Sequence, residues 1–437
     1  MIHPLRIAII GGGPGGLGAA IALSALPNVE LALYEQAREL REIGAGIRIG
    51  YNCWRVLELL GADADVKGHR KTEVLHRNGL TGNVLLRTGP SSLPLEYHPQ
   101  RVRRTRLQSA LRKQVPPGII HLSKRLTSLE NLPDGGVRLF FADGTEATAD
   151  MVVGADGIRS VVREHAFPDH KIKFTGTTIW RVLIRRALVA HLPDISKSTS
   201  WWHGPAGHAY FSPVDDPSEI APEDQLFEIS VRYLVDPETD KERRYSWGIP
   251  ATKERVEAHF TDYDPRVRET LSKVPEGDWK EFAAFAGPRL ETLTAWDRLV
   301  LIGDASHPLT GAFGSGAAFA LEDGWILARA LEHTIYSTRS RQQALREALA
   351  IFDSIRSPYY LRMYQHLDNQ KQKQLAAKAT AKSFEDVLHA RVASFSEGSE
   401  LSWIYENDIE DVWKNWLAEN VKSGRRRRDE GGISPNL

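Results

Sequence analysis

Six residues, Gly11-Gly-Gly13-Pro-Gly-Gly16, constrain this chain more than any other stretch, because of what flanks them. Before them runs Arg6-Ile-Ala-Ile-Ile10, short, apolar and of strand character. After them comes the Ala/Leu-rich segment Leu17 to Leu26, then a second apolar run, Val29 to Tyr34, ending in Glu35. Strand, glycine turn, helix, strand and an acid about twenty residues beyond the glycines form the pattern of a dinucleotide-binding unit. Gly11 permits the tight turn, Gly13 lets backbone approach a pyrophosphate, and Gly16 lets the helix lie close to the strand. The helix N-terminus offers free N–H groups and a positive dipole end to the phosphates. Glu35 is placed to accept hydrogen bonds from ribose hydroxyls. A glycine turn alone is equally a structural turn; the flanking strands and the acid favour the ligand.

A chain of 437 residues allows two or three domains with a large core. Lys+Arg and Asp+Glu both total 56, so there is no global electrostatic case for nucleic acid. Cys53 is the sole cysteine, which excludes an internal disulfide framework and a cysteine-based metal cluster, and fits a reducing, cytoplasmic compartment. No metal site is expected. The apolar run Ile7 to Leu26 imitates a membrane span, but it is interrupted by five glycines and Pro14 before the helix begins, which a phosphate-binding turn explains and a span does not.

Downstream, the glycine-dense segment around Gly44, Gly46, Arg48 and Gly50 reads either as backbone brought close to something flat or phosphorylated or as an ordinary loop. Tyr51 to Leu60, ending at Gly61, predicts a helix with its C-cap. Thr72 to Glu96 predicts short strands. Arg101 to Leu111 opens an arginine-loaded helix, read as a solvated face for most of these arginines, with one of them near a pyrophosphate as the functional alternative. Ile119 to Ala149, broken at Asp134-Gly-Gly136 and Asp143-Gly144, predicts a β-meander. Met151 to Gly154 returns to the dinucleotide sheet and runs into Ala-Asp156-Gly157. Strand-like runs at 177–184, 201–212 and 226–235 form a second, mixed or antiparallel sheet. Asp297 to Ile302 is a further core strand leading into Gly303-Asp304-Ala-Ser-His307-Pro308, with a helix from near Ala317. Beyond Gln342 the pattern is helical, and Arg425 to Arg428 lie in a solvated, disordered tail.

The three motifs in this order (Gly11-x-Gly13-x-x-Gly16 with Glu35, Gly154-Ala-Asp156-Gly157, and Gly303-Asp304 to Pro308) closely resemble those of the single-component FAD-dependent aromatic hydroxylases, the class A flavoprotein monooxygenases. Glu42-Ile-Gly-Ala-Gly46 and Trp403-Ile-Tyr405 look most like the salicylate-hydroxylase-like branch and its fungal relatives. The resemblance implies an α/β fold: a Rossmann-type FAD-binding domain (1–75, 100–168 and 287–330), a substrate-binding sheet domain (76–99 and 169–286), a C-terminal helical region (331–420) and a tail (421–437). It implies that Glu35 holds the adenosine ribose, Gly46 to Arg48 lie along the flavin, Arg104 contacts FAD and Asp304 binds the ribityl chain. Backbone N–H groups of Gly316 and Ala317 would face the pyrimidine end of the ring, where a helix N-terminus favours negative charge. Asp156 belongs to a motif tied to FAD and nicotinamide use, with a strand-terminating Asx turn as the plain alternative.

In the second domain the resemblance places Arg181 beside the substrate, where a guanidinium pairs with a carboxylate or phenolate. Strand alternation puts His208, Tyr210 and Ser212 on one face. By analogy His208 would be the base that deprotonates a phenol, with Tyr210 the nearest replacement for a tyrosine that relatives carry at Ser212. Gly311 stands where relatives have a larger residue. The implied reaction is NAD(P)H- and O2-dependent hydroxylation of a phenolic, salicylate-like compound through a flavin C4a-hydroperoxide, with NAD(P)H docking transiently and the protein acting as a monomer or homodimer. Epoxidation, a fungal polyketide-tailoring hydroxylation and a non-catalytic flavin-binding role are the alternatives.

Overall fold

The computed structural model describes residues 3–40, 45–133, 135–205, 207–236, 247–309, 311, 313–336, 340–396 and 401–430. The Glu42–Gly44 part of the glycine-dense segment and Asp134 lie outside them. β1 (Leu5–Ile10) runs through the glycine turn into α1 (Pro14–Ser24) and β2 (Val29–Tyr34). The chain continues through β3 (Gly46–Ile49), α2 (Tyr51–Leu59) and β4 (His69–Arg70), then crosses over as a hairpin of β5 (Val74–Asn78) and β6 (Val84–Thr88). It returns by β7 (Gln100–Arg103), α3 (Arg104–Gln114) and β8 (Ile120–His121). A meander of β9 (Leu126–Asn131), β10 (Val137–Phe141) and β11 (Glu146–Ala149) leads to β12 (Met151–Gly154) and α4 (Val161–Ala166).

Most of the second sheet follows: β13 (Lys173–Arg185), α5 (Pro193–Ser196), β14 (Thr199–His203), β15 (Gly207–Pro213), β16 (Leu226–Leu234), β17 (Trp247–Pro250), α6 (Lys253–Glu257), α7 (Pro265–Ser272) and β18 (Lys280–Ala286). The last section is β19 (Thr294–Ala295), β20 (Leu299–Leu301), α8 (Gly316–Ile335), α9 (Arg341–Thr380), α10 (Phe384–Ser396), α11 (Ser402–Tyr405) and α12 (Ile409–Glu430).

The first sheet has the order β19-β20-β12-β1-β2-β8 and is parallel apart from its edge strand β19. Its central strands are buried on both faces, as a parallel sheet covered by helices requires. α1 lies against α8 through small residues; a Cβ on Gly18 would meet Leu321, and one on Gly324 would meet the backbone of Ala19. The second sheet, β17-β18-β13-β16-β15-β14-β5-β6, is mixed, since β14 and β5 run parallel while the other pairs are antiparallel. One of its faces packs on α5 to α7 around Trp180, Trp202, Phe211 and Trp279. No helix among the described residues is long and apolar enough to cross a membrane.

Three sequence expectations are corrected here. The run 201–212 is a hairpin rather than one strand, because Gly204-Pro205 interrupts it. The second sheet takes the chain from Val74, not residue 76, since β5 pairs with β14 over its whole length. The expected disordered tail is helical through Glu430, because arginine and glutamate are strong helix formers and Gly424 alone does not stop the helix.

Candidate functional site: a dinucleotide cradle facing a polar sheet

The glycine turn is built as a cradle. Gly11 adopts φ +105°, and a Cβ there would strike the Ala155 carbonyl, so the tight turn excludes a side chain. A Cβ on Gly16 would collide with the Gly11 carbonyl, which is how closely α1 approaches the turn. Nothing lies within 4 Å of the Cβ position of Gly13, so that glycine presents open backbone where a phosphate would approach. Glu35 closes the site: its carboxylate accepts from the N–H groups of Gly12 (2.6 Å) and Ala37 (2.8 Å). A carboxylate offers about four acceptor positions, so two remain for ribose hydroxyls.

At the far end, Asp304 keeps accessible surface on the turn after β20. Burial nevertheless raises its carboxyl above the ordinary range, opposed by the Arg104 and Arg163 guanidiniums. α8 starts within reach: the Cβ position of Gly316 is 3.9 Å from Asp304 Oδ1. Ser315, the N-cap, makes no side-chain cap bond; its hydroxyl instead accepts from Arg48 Nη1 (2.9 Å). The first N–H groups of α8, those of Gly316 and Ala317 among them, are thus left without a side-chain cap. The Arg48 guanidinium also stacks on Tyr405, 4.3 Å from the ring centroid, tying β3, α8 and α11 together. The cradle, the carboxylates of Glu35 and Asp304 and the helix terminus fit an extended dinucleotide lying along the first sheet.

Two of the expected cofactor residues have partners within the chain. Both oxygens of Asp156 serve α4, accepting from Ser160 Oγ and from the Val162 N–H (3.2 Å), so the Asx reading describes it. Gly46 is pressed against the second domain: its N–H donates to Glu228 Oε1 (3.0 Å), and a Cβ there would meet both Glu228 and Arg101.

The second sheet turns a polar face toward this cradle, and its register aligns the side chains in rows. Arg181 is opposite Ser230, Ser230 opposite Tyr210, Tyr210 opposite Trp201, and Trp201 opposite His76. A second row carries Ile179, Arg232, His208, His203 and Asn78. Neighbouring Trp180 points the other way, its indole donating to Glu281 (2.8 Å) within the apolar core. Burial pushes the Arg181 guanidinium down to about 10, opposed by Glu228 and reinforced by Arg232, Arg101 and Arg104; its Nε has no hydrogen-bond partner. The Tyr210 hydroxyl is buried, and burial raises its pKa, with Arg101 and the neighbouring Ser212 hydroxyl opposing.

His208 departs from the expected near-neutral base. Burial, with Arg232, His203 and Arg391 nearby, holds it well below 6.5, so it stays neutral and weakly basic. Ser212 is buried in the sheet, bonded to Thr199 Oγ1 and the Pro213 carbonyl, with its hydroxyl beside that of Tyr210. Gly311 has φ +71°, a conformation that favours glycine, and its Cβ position lies 3.7 Å from an Arg232 nitrogen. The loop after Pro308 thus closes onto the second sheet.

Sequence reasoning missed the groups that hold these parts. Glu228, fully buried, binds Arg101 through Nε (2.5 Å) and Nη2 (2.7 Å) and so locks β16 to β7. Beneath the Asp304 turn, Asp323 accepts from the Gly303 N–H (2.9 Å), Arg356 Nε (2.7 Å) and the Tyr360 hydroxyl (2.7 Å). The signal was present: Glu228 and Glu322-Asp323 are acids inside otherwise apolar runs, which a buried pair explains.

Residues 5–359 match the family described as FAD binding domain. The chain is 31% identical over 389 residues to the 6-methylsalicylate 1-monooxygenase of Aspergillus terreus, covering 80% of this chain and 79% of that one. It is 32% identical over 331 residues to a 3-amino-4-hydroxybenzoate 2-monooxygenase of Streptomyces platensis, covering 74% and 78%. Its fold is shared with a salicylate hydroxylase substrate complex at TM-score 0.71 and 21% identity, covering 95% and 98%. Matched over most of its length by this domain and by these enzymes, the chain belongs to the FAD-dependent aromatic monooxygenases.

Proposed function

We propose that this chain uses NADH or NADPH and O2 to hydroxylate a phenolic, salicylate-like small molecule held against the Arg181–Tyr210 row. The observation that carries the reading is that row itself: a buried guanidinium and a buried phenol hydroxyl, aligned by strand register and turned toward the cradle. Glu35, Gly13, Arg104, Asp304 and the α8 N-terminus would hold FAD, and bound FAD supplies reductive activation of O2 and transfer of one oxygen atom. Arg181 binds and orients the substrate anion, and favours the phenolate that makes the ring carbon nucleophilic. Tyr210 hydrogen-bonds the phenol oxygen, and neutral His208, whose protonation burial and the charges of Arg232 and Arg391 oppose, stands in the adjacent row. The aromatic wall around Trp201 excludes water from the reacting face. A cytoplasmic location and a monomeric or homodimeric state belong to the same proposal.

The test is NAD(P)H oxidation by purified, FAD-loaded protein against salicylates, resorcylates and other phenols, with the product mass read under 18O2. Aromatic-stimulated turnover and one labelled oxygen in the product are expected. An FAD-loaded enzyme whose NAD(P)H oxidation no aromatic stimulates, and which forms no product, overturns the reading.

A further inference from the structure

The face where the two halves meet carries more positive charge than the chain neutralises. Arg48, Lys71, Arg101, Arg181 and Arg232 crowd around Tyr210 and the carboxylate of Glu228. That carboxylate is already occupied, bidentately by Arg101 and by the Gly46 N–H. Arg48 is engaged with Ser315 and Tyr405. Lys71 has no comparable partner: its Nζ lies 5.9 Å from the Tyr210 ring centroid, and no carboxylate among the described residues pairs with it. Its backbone is fixed, the N–H donating to the Pro99 carbonyl at 2.9 Å.

Position matters as much as charge. Tyr210 and Arg181 flank Ser230 in the register, so two strand spacings, roughly 10 Å, separate their backbones. Lys71 sits over the Tyr210 end of that interval, and Arg181 stands at the other. An aromatic ring with an acidic group on each of two edges spans a gap of that order.

We propose that Lys71 is a substrate-recognition residue whose ammonium pairs with an anionic substituent of the aromatic ring, on the edge away from the one held by Arg181. This rests on the hydroxylase reading of the same cleft. Burial, and the nearby charges of Arg101 and Arg48, hold the Lys71 amine well below the ordinary lysine range, with Glu228 opposing. Anion binding through Lys71 therefore weakens as pH rises and the amine loses its proton, whereas an arginine in its place stays charged. The groups facing it (Arg48 from β3, Arg101 from β7, Tyr210 from β15 and Glu228 from β16) are common to all the variants compared.

The experiment titrates FAD-loaded wild type, Lys71→Met and Lys71→Arg with 4-hydroxyisophthalate, which carries a carboxylate on each of two ring edges, and with salicylate, which carries one, following flavin absorbance across pH. Lys71→Met is expected to weaken 4-hydroxyisophthalate by roughly tenfold or more, the loss of one charge-assisted hydrogen bond. It should leave FAD affinity and salicylate binding nearly unchanged. Lys71→Arg should restore the affinity and hold it at high pH, where the wild type loses it. Equal affinities for the diacid in wild type and Lys71→Met overturn the assignment. So does a parallel loss of FAD, which would make Lys71 a cofactor contact, or a Lys71→Arg affinity that falls with pH as the wild type's does. A wild type that binds neither aromatic overturns the hydroxylase reading and this assignment with it.

Discussion

Glu228→Gln removes one negative charge from the junction of the two halves while keeping side-chain shape. In the native protein that carboxylate is inaccessible to solvent and takes two hydrogen bonds from Arg101 and one from the Gly46 N–H. Glutamine keeps a carbonyl acceptor but turns an amide toward a cation. Arg101 is then left uncompensated beside Arg48, Lys71 and Arg181. Breaking a buried pair by removing one partner costs about 3–5 kcal/mol, and the retained acceptor puts this case near 3 kcal/mol. The loss depends on pH. The arginine neighbours hold the Glu228 carboxyl below its ordinary value of 4.5 even though burial opposes them. A folded-state pKa below the unfolded one stabilises above about pH 4.5, and that stabilisation fades as pH falls through the folded value. Urea unfolding of the FAD-loaded proteins, followed by tryptophan fluorescence, should show the full difference at pH 7 and a shrinking one below 4.5. Equal stabilities at pH 7, or a gap that widens toward acid, would refute the argument.

Gly13→Val should leave folding intact, since no atom lies within 4 Å of the new Cβ, yet abolish FAD retention by blocking backbone approach; Gly16→Ala should instead lower yield and stability, because its Cβ meets the Gly11 carbonyl. Flavin absorbance per protein, beside circular dichroism, separates the two. Arg181→Ala should raise the KM for an aromatic acid by roughly tenfold or more and divert oxygen to H2O2, read by a peroxide assay; unchanged affinity and coupling would remove Arg181 from the site. Burial holds His76 and His307 at about 4 and His203 at about 3, so these rings stay neutral when folded and protonate only in the unfolded chain near pH 6.5. Stability should therefore fall from about pH 6.5 toward 4, by about 2 kcal/mol per histidine at pH 5. Unfolding midpoints flat across that range would contradict those environments.

Local features of the sequence were enough for the cradle. Gly11, Gly13, Gly16 and Glu35 act through backbone geometry within one βαβ unit, and that geometry is written in adjacent residues. Periodicity likewise located α8 and the strand face of His208 and Tyr210, because side-chain direction alternates with period two along a strand. What no local pattern contains is which strand lies beside which. The Arg181–Ser230–Tyr210 row exists only because β16 pairs between β13 and β15, and Glu228 reaches Arg101 across 127 residues. His208 reads from sequence as a base near neutrality; its weak basicity comes from burial and from the arginines that the fold gathers around it. Asp156 lies in a motif associated with the cofactor, yet its oxygens bind the helix that follows it. The sequence alone determined the dinucleotide unit and the polarity of the second sheet. The charge balance of the pocket was decided by tertiary structure, because electrostatic energies depend on distance and burial rather than on order along the chain.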